Sequence, residues 1–117
     1  MAFDEIHRDD FEMNGNWGLA RKSLGLKSFG MNVVSIDAGD RIPEHDEIDR
    51  DQEEVFVILS GSPAIVIDGD EYPVETGTYI RVDPEHKRTI ENIGETPCDV
   101  LIISAPRTSG YEPMDWA

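Results

Sequence analysis

Past residue 28 the chain is a succession of short β-branched and apolar runs separated by clusters of Gly, Pro, Asp and Ser. No helical period persists for more than two turns. The pattern predicts strands over 29–36 (FGMNVVSI), 55–60 (VFVILS), 64–67, 71–74, 78–82, 88–93 and 100–104 (VLIIS). The 55–60 run is apolar on both faces, as a central strand of a layered sheet should be. Asp68-Gly69 between two runs predicts a tight hairpin, because that dipeptide accepts the positive φ such turns need. Strands recurring every eight to twelve residues with Gly and Pro between them predict an all-β sandwich or barrel. Around it, residues 1–16 read as a polar N-terminal arm or a frayed lead-in, 17–106 as the barrel, and 107–117 as an extended tail pinned by Tyr111 and Trp116.

At 117 residues the chain makes one domain. The single cysteine, Cys98, precludes an internal disulfide and sits at the edge of an apolar run, which predicts a small core residue and a cytoplasmic setting. No apolar run is long enough to span a bilayer as a helix. Charge changes the picture more. Twenty-five Asp and Glu against ten Lys and Arg give −15, a field that repels phosphate backbones and anionic lipid, so neither nucleic acid nor membrane is expected as a partner. Only three of the ten cations are lysine, which suits a protein hydrated for high salt as well as one that is merely acidic. Residues 37–54 alone carry nine acids and two arginines, and most of that run reads as a solvated loop.

Two segments within this framework have fixed internal spacings. In the first, Gly39 is followed after five residues by His45, then Glu47, Glu54 and, six residues later, Gly61; in the second, Gly77 is followed after ten residues by Arg88 and after three more by Asn92. The arrangement resembles the cupin superfamily over roughly 31–104. The resemblance implies a double-stranded β-helix (jelly-roll) barrel. It also implies a metal in many members, held by two histidines and a glutamate of the first motif and a histidine of the second. Here His45 matches the first histidine and Glu54 the glutamate by its distance from Gly61. Glu47 replaces the second histidine, and Arg88 stands where the second-motif histidine belongs.

Strand parity turns these identities into a site. Arg88, Ile90 and Asn92 share one face, and Glu54, Phe56 and Ile58 share another, so Glu54 and Arg88 are expected to meet inside the barrel as an ion pair. The expected pocket comprises His45, Glu47, Glu54, Arg88 and Tyr79, with Arg88 anchoring an anionic group of a small-molecule ligand. A divalent ion on His45, Glu47 and Glu54, with His86 in reserve, would be Mn²⁺, Fe²⁺ or Ni²⁺ rather than Zn²⁺. The guanidinium of Arg88 argues against it. Three functions stay open: a small-molecule-binding cupin with a degenerate metal site; a metal-dependent dioxygenase, isomerase or lyase; and a structural domain whose polar interior is a relic. Exposed strand edges further suggest a homodimer, formed by extending 17–20 and 29–36 across a two-fold axis; the other arrangement is an arm folded back on its own sheet.

The charge yields a first prediction. The melting temperature should rise between low and molar potassium chloride as carboxylate repulsion is screened, and a flat or falling profile in a thermal-shift series would remove the high-salt reading.

Overall fold

The apolar runs do become strands, and alternation within each decides which side chains enter the core. The computed structural model describes residues 2–117. Its elements are β1 (Met13–Asn14), β2 (Trp17–Gly18), α1 (Ala20–Leu24), β3 (Gly30–Ile36), β4 (Gln52–Ser60), β5 (Ala64–Ile67), β6 (Asp70–Pro73), β7 (Tyr79–Val82), β8 (Arg88–Glu91) and β9 (Cys98–Pro106). One antiparallel sheet has the order β1-β2-β3-β9-β4-β7 and the other β6-β5-β8. The stretch after β3 lies along β8 through isolated bridges at Arg41–Glu91 and His45–Arg88. The two sheets close on one another as a double-stranded β-helix barrel, the expected fold.

Val34, Ile36, Phe56, Ile58, Val82, Ile90, Val100 and Ile102 fill the interior from facing strands. The same inward rows change character at one end. Asn32 precedes Val34 on β3, Gln52 and Glu54 precede Phe56 on β4, Ser104 follows Ile102 on β9, and Arg88 precedes Ile90 on β8. Register places Glu54 opposite Ser104 and Asn32 opposite Ile102, so these polar positions gather at one mouth of the barrel. Two turns set the register. Asp68 (φ 51°) and Gly69 (φ 86°) form the expected two-residue hairpin between β5 and β6. Gly61 has φ 85°, and a Cβ there would lie 2.5 Å from the Cβ of Cys98, so both backbone conformation and space demand glycine. At the opposite end Asn92 donates to Ile36 O and Thr96 O and accepts from Gly94 N, the local backbone role expected of it. Cys98 is free and buried.

The flanks depart from expectation. Of the two readings of the first residues, the structure has the arm and not a frayed lead-in: β1 pairs with β2, β2 pairs with β3, and Arg8 reaches Asp99 at 3.0 Å. The hairpin straddles the boundary expected after residue 16. It also occupies the β3 edge that was expected to pair with a second chain, so the arm folds back on its own sheet. Helix α1 was not foreseen, since ARKSL carries no apolar stripe; Gly25 (φ 69°) caps it in the left-handed conformation. The tail is not pinned by its aromatics, for Tyr111 and Trp116 are 77% and 83% exposed. Arg107 holds its start instead, with Nη2 at 2.6 Å from both Asp51 and Glu85. Among the described residues no helix is long and apolar enough to cross a membrane.

Candidate functional site

The polar end of the barrel is organised around Arg88. Its side chain is wholly buried, and Nη1 donates to Glu54 Oε1 at 2.7 Å. Nε donates to His86 O at 2.9 Å and Nη2 donates to Asp83 O, so every guanidinium nitrogen has an acceptor. The expected Glu54–Arg88 pair is therefore present, with the guanidinium sealed from solvent behind Glu54. His45 reaches the same place from the opposite direction. The backbone bridge to Arg88 sets its position, with His45 N donating to Arg88 O and Arg88 N donating to His45 O. Its Nε2 lies 3.2 Å from Glu47 Oε1 and 3.5 Å from Glu54 Oε1, while Nδ1 faces Pro43 O at 3.1 Å.

Acceptors on both sides of the ring favour its charged form. The hydrogen bond to Glu54 is the main force raising His45 above its ordinary 6.5; burial opposes it, and Pro43 O and the two carboxylates add to the rise. For Glu54, burial pushes the carboxyl upward, but hydrogen bonds from His45 and Arg88 outweigh it and hold the group below its ordinary value. The cluster can thus retain a proton on His45 against two carboxylates.

Beside this cluster an open cavity of about 730 Å³ enters the barrel mouth. Glu47 and Glu54 form part of its wall, together with Asn32, Gln52 and Ser104 from the inward rows. Gly30 contributes space, since a Cβ there would meet Ser104 Oγ at 2.6 Å. Arg21, Lys27 and Arg50 stand on the same wall.

Of the five residues expected to line the pocket, the cavity wall receives Glu47 and Glu54. Arg88 lies behind Glu54 with no exposed surface to offer a ligand, so it cannot anchor an anion as expected; each of its three nitrogens already donates to Glu54 or to a backbone carbonyl. His45 stands at the back of the two carboxylates and is outside the wall. Tyr79 faces away altogether. It pairs with Val57 in the row between the inward Phe56 and Ile58, which turns it outward to 72% exposure. His86 is also outside the cluster, at 2.6 Å from Asp68 on the exposed surface. Asn32, Gln52 and Ser104 were missed, although their inward parity was readable. Arg21 and Lys27 were missed because nothing in their local sequence shows that the chain around α1 folds over the mouth.

With this geometry in view, the comparisons with known proteins are coherent. The sequence model of the cupin domain matches residues 32–104, and the chain belongs to the cupin family. A cupin protein of Bacteroides fragilis superposes with a TM-score of 0.82 at 23% identity, covering 99% of this chain and 93% of its own. A cupin-superfamily protein of Silicibacter pomeroyi, described as a sugar phosphate isomerase, gives 0.74 at 19% identity over 96% and 83%. A predicted oxalate decarboxylase of Thermotoga maritima gives 0.61 at 21% identity over 66% and 65%. An uncharacterized protein of Methanocaldococcus jannaschii is 35% identical over 54 residues, which span 46% of this chain and 43% of that relative.

The metal that many family members carry does not fit the residues present. His45, Glu47 and Glu54 bring donor atoms within 4.8 Å of one another. The fourth position belongs to Arg88, whose cationic Nη1 already occupies the Glu54 oxygen nearest the imidazole, at 2.7 Å. A guanidinium cannot ligate an ion and repels one at this range.

Arg88→Ala should lower unfolding free energy by about 3–5 kcal/mol in urea titrations at neutral pH, the cost of orphaning one member of a buried pair. Glu54→Gln should cost less, because the amide oxygen still accepts. The Glu54 contribution is present above the carboxyl's ordinary 4.5 and fades as the pH falls through the lowered folded value. A loss below about 1 kcal/mol for Arg88→Ala would show that the pair is not what holds the mouth together.

Proposed function

We propose that this cupin binds a small polar molecule at the barrel mouth, in the cytoplasm, without a resident catalytic metal. The observation that carries this reading is the Glu54–Arg88 pair standing where the family places its ion, with an open cavity of ligand size directly in front of it. The inward Asn32, Gln52 and Ser104 supply neutral donors and acceptors, Glu47 supplies a partly buried carboxylate, and the buried pair behind them gives a rigid wall. The free, buried Cys98 agrees with a reducing compartment.

A metal-dependent enzyme has one observation in its favour, the three donor atoms within 4.8 Å of one another. Isomerase or decarboxylase chemistry, as in the descriptions of two structural neighbours, would then require an ion to displace Arg88 from Glu54. Elemental analysis separates the readings. Protein purified from medium supplemented with Mn²⁺, Fe²⁺ and Ni²⁺ should contain none in stoichiometric amount, and added Mn²⁺ should leave the melting temperature unchanged. One ion per chain would overturn the binding-protein reading.

We further propose that the chain is a homodimer, by a different surface from the β3 edge. On the outer face of the larger sheet the register aligns Met31, Ile103 and Val55, ending at Arg81, in one row, and Val33, Leu101, Val57 and Tyr79 in the next; Val33 and Val57 are already buried, Met31, Val55, Leu101 and Ile103 are half-buried and Tyr79 is exposed. A water-facing antiparallel sheet is ordinarily polar on that side. Pairing this band with its own copy about a two-fold axis would cover what the single chain leaves open of Met31, Val55, Leu101, Ile103 and Tyr79, and screening at high salt would relieve the repulsion between two chains of −15. Light scattering in near-molar salt should give twice the chain mass, and Val55→Glu should halve it. A wild-type mass of one chain would remove the dimer.

A further inference from the structure

The strongest unexplained feature is the distribution of cations. Only ten Lys and Arg exist in a chain with twenty-five acids, so each should find a carboxylate easily. Arg8, Lys22, Arg81, Arg88 and Arg107 do. Among the described residues Arg21, Lys27, Arg41, Arg50 and Lys87 make no ion pair, and Arg21, Lys27 and Arg50 stand on the wall of the same cavity.

The local structure puts them there. The left-handed Gly25 ends α1 and reverses the chain, with Leu26 N donating to Arg21 O at 3.0 Å and Arg21 Nη1 donating to Leu26 O at 3.3 Å. That clasp holds Arg21 and Lys27 on one lip. Arg50 sits on a second lip braced by Asp51, which has φ 49° and is locked to Arg107 at 2.6 Å. The acidic groups within the cavity do not cancel them. Glu54 is already neutralised by Arg88, which leaves Glu47 against three cations, a surplus of two positive charges even with His45 neutral.

We infer that Arg21, Lys27 and Arg50 form an anion-recognition rim, and that the ligand is a small hydroxylated dianion, a phosphate monoester or a hydroxydicarboxylate. The two lips grip the anionic group with charge-assisted hydrogen bonds, for which the forked donors of arginine are well shaped. The hydroxyl-bearing remainder reaches inward, donating to Glu47 and exchanging hydrogen bonds with Asn32, Gln52 and Ser104. A free cationic rim also explains how an anion enters a protein of net charge −15: the local surplus opposes the global field over the last few ångströms.

The inference rests on the binding reading above, and the test keeps their failures apart. Isothermal titration of the whole chain at low ionic strength uses glycerol 3-phosphate, malate and inorganic phosphate as dianionic probes, with glycerol and a neutral sugar as uncharged ones. At least one dianion should bind saturably, one per chain, and glycerol should not; the preferred dianion tells phosphate from dicarboxylate. Arg21→Gln with Arg50→Gln should weaken that binding by about tenfold per cation removed. Arg41→Gln with Lys87→Gln, the same charge removed away from the cavity, should change it less than about twofold. Equal losses in the two double variants, or dianions binding no better than glycerol, overturn the rim. Saturable binding of the neutral sugar alone would overturn the rim while leaving the binding reading intact.

Discussion

A guanidinium with no access to water has to be neutralised where it lies, and meeting that demand shapes the whole mouth of this barrel. Arg88 is placed inside by strand parity, in the row of Ile90 and Asn92. Its charge is answered by Glu54 across the barrel, and its remaining nitrogens are answered by the carbonyls of Asp83 and His86. The backbone of the same residue exchanges two hydrogen bonds with His45. One side chain and its amide thus tie β4, the β7–β8 turn and the stretch after β3 to β8. Shifting β8 by one residue would turn Arg88 outward and leave Glu54 buried without a cation, which makes the pair a device for fixing register. Against a well-packed apolar pair its net stabilisation would be small; its specificity is what an apolar pair could not supply.

The same substitution redirects the chemistry of the site. Where a metal would polarise a ligand and take electron density from it, an ion pair offers only shape and a fixed, locally neutral wall. Glu54 is turned from a ligand into a structural anion, and His45 becomes a donor held between two carboxylates. What remains available to a guest is the half of the interior that the apolar core does not fill. On the proposed binding reading, recognition comes from the neutral inward side chains and from charges that the fold brings over the mouth, because the residue in the family's own position has been sealed off.

How far the sequence reveals this depends on whether the information is local. Alternation and turn residues are local properties, so most strands, the Asp68-Gly69 hairpin, the inward parity of Glu54 and Arg88 and their pairing are legible without coordinates. The motif spacings around Gly61 and Asn92 are legible for a physical reason: one glycine abuts Cys98, and the amide of the other residue is spent on three backbone groups. Tyr79 was misassigned because a pocket-lining role was read from residue type, whereas its row in β7 decides the matter. The order of the arm and α1 was not legible because it comes from partners distant in sequence: Arg8 with Asp99, and Lys22 of α1 with Glu12 of the arm at 2.6 Å. Polar residues fixed by partners elsewhere in the chain leave no hydrophobic pattern to read.

That last point bears on how an acidic protein distributes its few cations. A lysine or arginine on a surface rich in carboxylates gains little from any one exposed ion pair, about 0–1 kcal/mol, so pairing alone does not fix where such residues lie. Arg107 shows the structural use, joining Asp51 and Glu85 to fasten the start of the tail and the lip beyond residue 46. Arg88 shows the buried use. Lys27 and Arg50 share neither, Arg21 is fastened only through its hydrogen bond to Leu26 O, and gathering the three at one cavity works against the fold, because like charges around a common space repel. On the proposed reading, a fold that maintains this repulsion within a strongly negative chain stores a preference for an anion. The stability cost to the free protein and the affinity for a guest are two sides of the same electrostatic arrangement.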